Sequence, residues 1–206
     1  MHAIFDVGAN NGSWGIEVAK RHPEIQVFAF EPTPLLCSLI RQKVAEAGLT
    51  NYELVPVAVS DVAGKVSFNV AGQADWGCSS LLEFNPGLDQ TWPGRTDFQV
   101  TEVIEVECIR LDKFIEERGV SSIEFFHCDT QGADLKVLAS LGEHIGKVRM
   151  GEIETASSRS VALYKGQHTI EDVVLFFLRH GLEIDRLVAN DVHCNELNVV
   201  FSRRVF

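Results

Sequence analysis

The sequence predicts an α/β fold of the doubly wound type, in which a mostly parallel sheet carries helices on both faces. Three observations support this prediction. Strand-like and helix-like segments alternate almost from end to end of the 206 residues. A Gly/Asn turn at 8–13 follows the first apolar run. The last two strand-like runs, 182–187 and 198–201, are joined by a short loop, which predicts an antiparallel hairpin near the end of the sheet.

The first half of the chain contains three strand-like runs separated by two helix-like runs. In the longer helix apolar residues recur at helical spacing, and Gly48 stands where a C-terminal cap belongs. The predicted strands are 3–7, 26–30 and 52–59, and the predicted helices are 14–21 and 35–47.

The middle of the chain is less regular, and we interpret it as an inserted strand and loop region at about 62–111 in a single domain spanning 1–206. It starts with an alternating run, 65–70, that is typical of an exposed strand, and continues with a loop region at 71–96. A further strand is predicted at 103–111.

Regular alternation resumes after this region. Thr169 and Asp172 form a capping-box pattern at the start of the last predicted helix, and Gly181 follows as its stop. The predicted strands are 123–128 and 148–153, and the predicted helices are 112–118, a run marked by Leu135, Leu138, Leu141 and Ile145, and 169–180.

Composition narrows the class of partner and the compartment. The formal net charge is −11 and no basic run occurs, so a nucleic-acid partner is disfavoured. Five cysteines without a C-x-x-C pair argue against a zinc site and fit a reducing compartment. The first predicted strand begins close to Met1, and no apolar run approaches the roughly 18 residues of a membrane span. We therefore expect a cytoplasmic protein without a metal or a membrane partner; the oligomeric state stays open.

Glycine and polar residues follow several predicted strands at the point where each strand ends. The segment D-V-G-A-N-N-G at 6–12 follows the first strand. Glu31, Ser60 and Asp129 follow three later strands. Because ligands bind outside the carboxyl ends of the strands in open α/β sheets, these residues are the first candidates for a binding site.

The pattern D-x-G-x-x-x-G at 6–12 suits a ligand that carries both an ammonium and a carboxylate group. Gly8 allows close approach to the backbone, and Gly12 leads into a helix whose first amide groups favour an anion. Asp6 would attract the ammonium group and repel a pyrophosphate. Glu31 can bind both hydroxyls of a ribose. A ribose-bearing cofactor with a free amino-acid tail is S-adenosylmethionine.

Two other interpretations of the glycines stay open at this point. A nicotinamide-dependent oxidoreductase would use the fingerprint G-x-G-x-x-G, whereas Gly8, Gly12 and Gly15 lack the middle glycine that admits a pyrophosphate. Alternatively, the glycines only shape a tight turn between strand and helix. Glu31 and Ser60 at matching strand ends weigh against this second interpretation.

Five stretches of the sequence form an ordered set of motifs: I-F-D-V-G-A-N-N-G at 4–12, F-A-F-E-P at 28–32, A-V-S-D at 58–61, C-S-S-L at 78–81 and H-C-D-T-Q-G-A-D-L-K-V-L at 127–138. Each stretch alone is weak, whereas five in the right order and spacing are specific. Over about residues 3–155 they resemble the FkbM-type methyltransferase family.

The resemblance implies a class I methyltransferase, Rossmann-like fold with a seven-stranded sheet whose last strand is antiparallel. It implies S-adenosylmethionine as cofactor and methyl donor, and a hydroxyl oxygen of a small molecule, sugar or natural product as acceptor. By position, the cofactor would be held by Asp6, Gly8, Asn10, Gly12 and Ser13 at its methionine end, by Glu31 and Pro32 at its ribose, and by Ser60 at its adenine side.

One residue departs from the family pattern. The family usually has Glu in the motif D-x-E-G, and this chain has Gln131 in Asp129-Thr-Gln-Gly132. The change replaces a potential base or ion ligand by a neutral amide. It puts an assigned base in doubt and leaves room for a changed acceptor, or for a non-catalytic protein that keeps only binding.

Two residues are candidates for the general base that an alcohol acceptor needs. Asp129 ends its strand facing the expected cofactor, where it could serve as the base or hold the cofactor's ammonium group. His168 lies in a loop on the expected ligand side and could contact the acceptor or act as base. His127, in an apolar strand, is more typical of a packed core histidine.

Further side chains are expected around the acceptor. Glu152 and Glu154 share one face of their strand and, with Gln131, are predicted on the substrate side of the cleft. Trp76 and Trp92 belong to the long loop region, where they could cover an acceptor or fasten the loop to the core.

Overall fold

A computed structural model describes residues 1–71 and 76–204, and these residues contain ten strands. In chain order the strands are β1 (His2–Val7), β2 (Gln26–Phe30), β3 (Tyr52–Val55), β4 (Ala58–Val59), β5 (Gly64–Ala71), β6 (Val100–Ile109), β7 (Ser122–Cys128), β8 (Met150–Ala156), β9 (Leu182–Ala189) and β10 (Glu196–Arg203). Seven of them form the central sheet, and β4, β5 and β6 form a smaller one.

The central sheet has the order β3-β2-β1-β7-β8-β10-β9. Neighbouring strands from β3 to β8 are parallel, whereas β10 is antiparallel to both β8 and β9. The predicted doubly wound, mostly parallel sheet with an antiparallel last strand is therefore confirmed. β1 pairs with β2 on one side and with β7 on the other, so the carboxyl ends of these three strands meet where the strand order reverses.

Helices connect the parallel strands and begin and end at the residues that local chemistry favours. Pro34 is the first residue of the second helix, and Gly48 caps it in the left-handed conformation. The capping box of the last helix is present, with the Thr169 N–H donating to Asp172 Oδ2 at 3.0 Å. In the described residues, no helix is both long and apolar enough to cross a bilayer. The helices are α1 (Ser13–Arg21), α2 (Pro34–Ala47), α3 (Leu88–Thr91), α4 (Leu111–Arg118), α5 (Asp134–Ala139) and α6 (Ile170–His180).

Alternate residues of β1 pack into two different apolar clusters on the two faces of the sheet. Phe5 and Val7 join the larger cluster, which includes residues of α4 and α5. The Phe5 ring meets the Phe28 ring edge to face, with centroids 5.9 Å apart. Ile4 joins the smaller cluster against α1 and α2. Because side chains alternate along a strand, Asp6 lies on the face of Ile4.

Two strands of the smaller sheet, β5 and β6, lie in the region that we expected to be an insertion, and β4 lies just before it. The order of this sheet is β4-β6-β5, with β4 parallel and β5 antiparallel to β6. The prediction of one strand over 52–59 is therefore wrong, because β3 ends at Val55 and the chain beyond Pro56 pairs with β6 instead. Proline has no N–H to donate to a ladder, which fits the end of pairing with β2 at this point.

Two other predicted segments differ from the structure. The helix expected from Leu135 to Ile145 stops at Ala139 and is followed by a 3₁₀ segment, Gly142–Lys147. Gly142 has φ +53°, a conformation that does not continue an α-helix. The loop region expected at 71–96 includes α3, and its residues 72–75 lie outside the described part of the chain.

Candidate active site

A cleft opens at the carboxyl ends of β1, β2 and β7, and together with the open space at its mouth it measures about 570 Å³. We call it the strand-end cleft. It is lined by Val7, Gly8, Asn10, Phe30, Glu31, Pro32, Thr33, Leu36, Val57, Ala58, Val59, Phe68, Gly77, Ser79, Leu81, Asp129, Thr130 and Gln131.

Gly8 brings the ends of β1 and β7 together at the floor of this cleft. It has φ +82°, and a Cβ placed on it would lie 2.0 Å from the carbonyl oxygen of Asp129. The N–H groups of Gly8 and Ala9 both donate to the carbonyl oxygen of Phe30 at 3.0 Å, which ties the turn to β2. A larger residue would push the β7 end away, so the shape of the cleft requires glycine here.

Glu31 lies in the wall of the cleft with its carboxylate held by the backbone. Oε2 accepts from the N–H of Asn10 at 2.9 Å, and Oε1 accepts from the N–H of Thr33 at 2.8 Å. Burial raises the pKa of Glu31, although these backbone donors oppose the rise. Each oxygen can accept a further hydrogen bond, so the fixed carboxylate suits a pair of adjacent hydroxyls such as those of a ribose.

The end of the cleft beyond Glu31 is apolar rather than polar. It is lined by Leu36, Val57, Ala58, Val59, Phe68 and Leu81. Ser60, expected beside an adenine, does not line the cleft: it is buried, and its hydroxyl donates to Asp61 at 3.0 Å. A flat aromatic ring would therefore be held at this end by apolar packing.

Asp6 does not face the cleft, contrary to the expectation that its carboxylate binds an ammonium group. Its Oδ1 lies 2.8 Å from Nδ1 of His127, which stacks on Trp14 with ring centroids 4.1 Å apart. Burial alone lowers the pKa of His127, but the hydrogen bond and charge of Asp6 outweigh it and the pKa is raised. The expectation of a packed histidine agrees with this arrangement, in which Asp6 is buried between the sheet and α1.

Gly12 and Ser13 also lie outside the residues that line the cleft. A Cβ on Gly12 would lie 2.9 Å from Cγ1 of Ile40, so this glycine allows close packing of the turn against α2. Ser13 is exposed, and its N–H donates to Asn11 Oδ1 at 3.0 Å. Of the residues predicted to hold a cofactor, the cleft brings together Gly8, Asn10, Glu31, Pro32 and Asp129.

The Gln131 amide joins two carboxylates at the mouth of the cleft. Its Nε2 donates to Asp129 Oδ1 at 2.6 Å and to Glu154 Oε2 at 3.0 Å. Its Oε1 lies 2.9 Å from the hydroxyl of Tyr164. A flipped amide would set its oxygen against both carboxylates, so these contacts fix its orientation. Gln131 holds a left-handed conformation with φ +54°, and its carbonyl oxygen accepts from Ser80 at 2.6 Å.

Asp129 is exposed to the cleft but surrounded by protein atoms and by other acids. This poorly solvated position raises the pKa of Asp129, and the negative charge of Asp6 adds to the effect. The hydrogen bond from Gln131 and the charge of His127 lower the pKa of Asp129 and so oppose this rise. Burial and the charge of Asp129 likewise raise the pKa of Glu154 well above its usual range. The described residues contain no group of three or more His, Cys, Asp and Glu side chains placed to hold a metal ion.

A second cavity of about 220 Å³, the side cavity, adjoins the strand-end cleft. Gly77, Asp129 and Gln131 line both spaces. Asp129 therefore stands at the boundary between two sites. The other residues that line the side cavity are Cys78, Trp92, Arg95, Phe98, Leu163, Asn190 and Glu196.

Three residues predicted on the acceptor side stand apart from these spaces. Glu154 lines neither space, although it accepts hydrogen bonds from Gln131 and Asn190, which both line the side cavity. Glu152 pairs in register with His127 and is likewise absent from both linings. His168 lies outside both, and burial lowers its pKa. The structure therefore gives no support to His168 as a base.

Sequence reasoning missed most of the side cavity. Trp92 lines it and is 4% exposed, whereas the side chain of Trp76 lies outside the described part of the chain. Arg95, Asn190 and Glu196 stand in loops or at a strand start, without a motif that marks them. The available signal was the long polar loop region before β6 and the short loop before the antiparallel last strand, since loops near a ligand-binding edge often carry function.

The sequence is similar to a known protein family and to curated methyltransferases. The family described as "Methyltransferase FkbM domain" matches residues 6–184. The chain is similar to 2-O-methyltransferase NoeI of Sinorhizobium fredii, with 32% identity over 80% of this chain and 66% of NoeI. It is also similar to 31-O-demethyl-FK506 methyltransferase FkbM of Streptomyces tacrolimicus, with 28% identity over 79% of this chain and 70% of that protein. The chain thus spans about two thirds of each relative.

Solved structures show the same fold at low identity. One is M. capricolum TrmK in complex with S-adenosylhomocysteine, with a TM-score of 0.56, 11% identity, and coverage of 100% of this chain and 63% of TrmK. Another is Aeropyrum pernix fibrillarin with bound S-adenosylmethionine, with a TM-score of 0.55, 10% identity, and coverage of 97% and 65%. At this identity the likeness concerns the fold alone.

The contact between Gly8 and Asp129 leads to a prediction about stability. Gly8→Ala should lower the free energy of unfolding by about 3 kcal/mol or more, because a new Cβ meets a backbone carbonyl. Gly48→Ala is the matched control: its φ is also positive, at +62°, but no atom lies within 4 Å of the added Cβ. It should cost only about 1 kcal/mol. Urea unfolding measures both, and equal losses would contradict the role given to Gly8.

Proposed function

This chain belongs to the FkbM methyltransferase family, and we propose that it transfers a methyl group from S-adenosylmethionine to a hydroxyl oxygen of a small molecule or sugar. The observation that carries the proposal is the position of Asp129, which lines both the strand-end cleft and the side cavity. A carboxylate at that boundary can reach a cofactor on one side and an acceptor on the other. The relatives NoeI, a 2-O-methyltransferase, and FkbM, a 31-O-demethyl-FK506 methyltransferase, support an oxygen acceptor.

The residues of the strand-end cleft fit S-adenosylmethionine, which supplies a methyl group on a sulfonium leaving group. Glu31 would hold the ribose hydroxyls with a carboxylate already fixed by two backbone donors. The apolar end around Leu36, Val57 and Phe68 would pack on the adenine. Gly8 would let the amino-acid end lie against the backbone at the ends of β1 and β7.

Asp129 is our candidate for the general base that removes the proton of the acceptor hydroxyl. Its raised pKa makes it a better proton acceptor than an ordinary aspartate, provided that the working pH keeps it ionised. Gln131 opposes the rise by donating to Oδ1, which fixes the carboxylate and favours its charged form. The amide thus supports the base rather than replacing it, which argues against a non-catalytic protein. A nicotinamide-dependent oxidoreductase has no support from the family to which the chain belongs.

Glu31→Gln should weaken binding of S-adenosylhomocysteine by about 10- to 100-fold, because a charged acceptor of two hydroxyl bonds is lost. Isothermal titration calorimetry measures the dissociation constant. Glu24→Gln, at an exposed position between α1 and β2, is the control and should bind like the parent. A folded Glu31→Gln protein with unchanged affinity would refute the proposed ribose contact.

Asp129→Asn should reduce methyl transfer by about 10² to 10⁴-fold while S-adenosylhomocysteine binds as before. The asparagine can still present an oxygen to Gln131, so the local hydrogen bond at 2.6 Å survives. Label transfer from methyl-labelled S-adenosylmethionine to a panel of alcohols and sugars gives the rate, and calorimetry gives the affinity. Lost affinity with a retained rate would instead assign Asp129 to the cofactor's ammonium group.

Gln131→Glu should move the acid limb of the pH–rate profile to higher pH. The variant loses the donor to Asp129 and Glu154 and adds a carboxylate beside them, and both changes raise the pKa of Asp129. The ionised base is then present only at higher pH. Gln42→Glu, exposed on α2, is the control and should leave the profile unchanged. A profile that stays in place or moves to lower pH would contradict the supporting role of Gln131.

A further inference from the structure

The side cavity carries an excess of acidic groups in and directly behind its wall. Asp129 and Glu196 line it, and Glu154 lies behind the wall, bonded to Gln131 and Asn190, which line it. Among the described residues that line the cavity, Arg95 is the single cation, and its guanidinium is paired with Asp97, with Nε donating to Oδ1 at 2.7 Å. The wall therefore offers more acceptors than donors.

Glu196 is held in this wall at the start of β10. It is 6% exposed, and its Oε1 accepts from Gln167 Nε2 at 3.3 Å. Burial together with the charges of Asp129 and Asp191 raises the pKa of Glu196 to about 7. A cation beside it would relieve both the desolvation and the repulsion, since opposite charges favour the ionised form.

A second observation points to a ligand in the same cavity. The side chain of Trp92 lines it, and its indole N–H has no hydrogen-bond acceptor in the described structure. Buried donors are nearly always paired, so a ligand oxygen is a natural partner for this group. The rings of Trp92 and Phe98 meet edge to face with centroids 5.5 Å apart, which gives the polar cavity an aromatic side.

We propose that the side cavity is the acceptor pocket and that it selects a compact, hydroxyl-bearing acceptor that also carries a protonated amine. This inference rests on the proposed function, since it places the acceptor beside Asp129. The ammonium would lie against Glu196, and the aromatic side would pack on the carbon skeleton of the acceptor. An anionic acceptor would be repelled by Asp129 and Glu196.

Three sugars of one ring type but different charge test the proposal: 2-amino-2-deoxyglucose, glucose and glucuronate. Each is titrated by ligand-observed NMR into the protein saturated with S-adenosylhomocysteine. We expect the amino sugar to bind about tenfold tighter than glucose, and glucuronate to bind most weakly. Equal binding of the amino sugar and glucose, preferred binding of glucuronate, or no binding of any of the three would overturn the proposal.

Glu196→Gln should reduce the preference for the amino sugar to less than about threefold, because it removes the charge and keeps an oxygen for Gln167. Glu102→Gln, exposed on β6, is the matched control and should keep the full preference. An unchanged preference in Glu196→Gln would overturn the assignment. Failure of S-adenosylhomocysteine to bind would refute the proposed function itself, whereas its binding without charge selection refutes only the acceptor pocket.

Discussion

The close approach of two backbone segments, at Gly8 and at the carbonyl of Asp129, is the constraint on which the rest of the site depends. It brings the end of β1 within contact of the end of β7 and leaves no space for a side chain between them. The same turn is tied to Phe30 by two hydrogen bonds, so three strand ends are fixed relative to one another. Glu31 and Asp129 owe their placement on opposite sides of the cleft to this junction.

The second organising feature is a neutral amide among acids. Gln131 donates to Asp129 and Glu154 at once, and a carboxylate in its place would leave both without that donor. Burying several acids together is costly unless hydrogen bonds satisfy them. The residue that departs from the family pattern is thus the one that lets two acids stand close together, and it is itself held by Tyr164 and Ser80.

The fold and the strand-end residues could be predicted because both depend on local patterns. Alternating strands and helices dictate the sheet, and Gly8 and Glu31 stand at strand ends that topology brings together. The orientation of Asp6 could not be predicted with the same success, since the strand register, not the motif, decides which face a side chain takes. The side cavity escaped prediction because Trp92, Asn190 and Glu196 come from segments far apart in the chain, and only tertiary packing brings them together. Pro56, by contrast, is visible in the sequence, and it marks the point where the chain leaves the central sheet.

The insertion of β10 between β8 and β9 sets the order in which the two halves of the site can be assembled. The cleft around Gly8, Glu31 and Asp129 uses contacts among β1, β2 and β7, all available before the chain beyond β8 exists. The wall that contains Asn190 and Glu196 forms only after β10 has been synthesised, because β10 pairs with both β8 and β9. Such non-local pairing is slow compared with helix formation. During synthesis the strand-end cleft can therefore be complete while the side cavity still lacks the wall that contains Asn190 and Glu196.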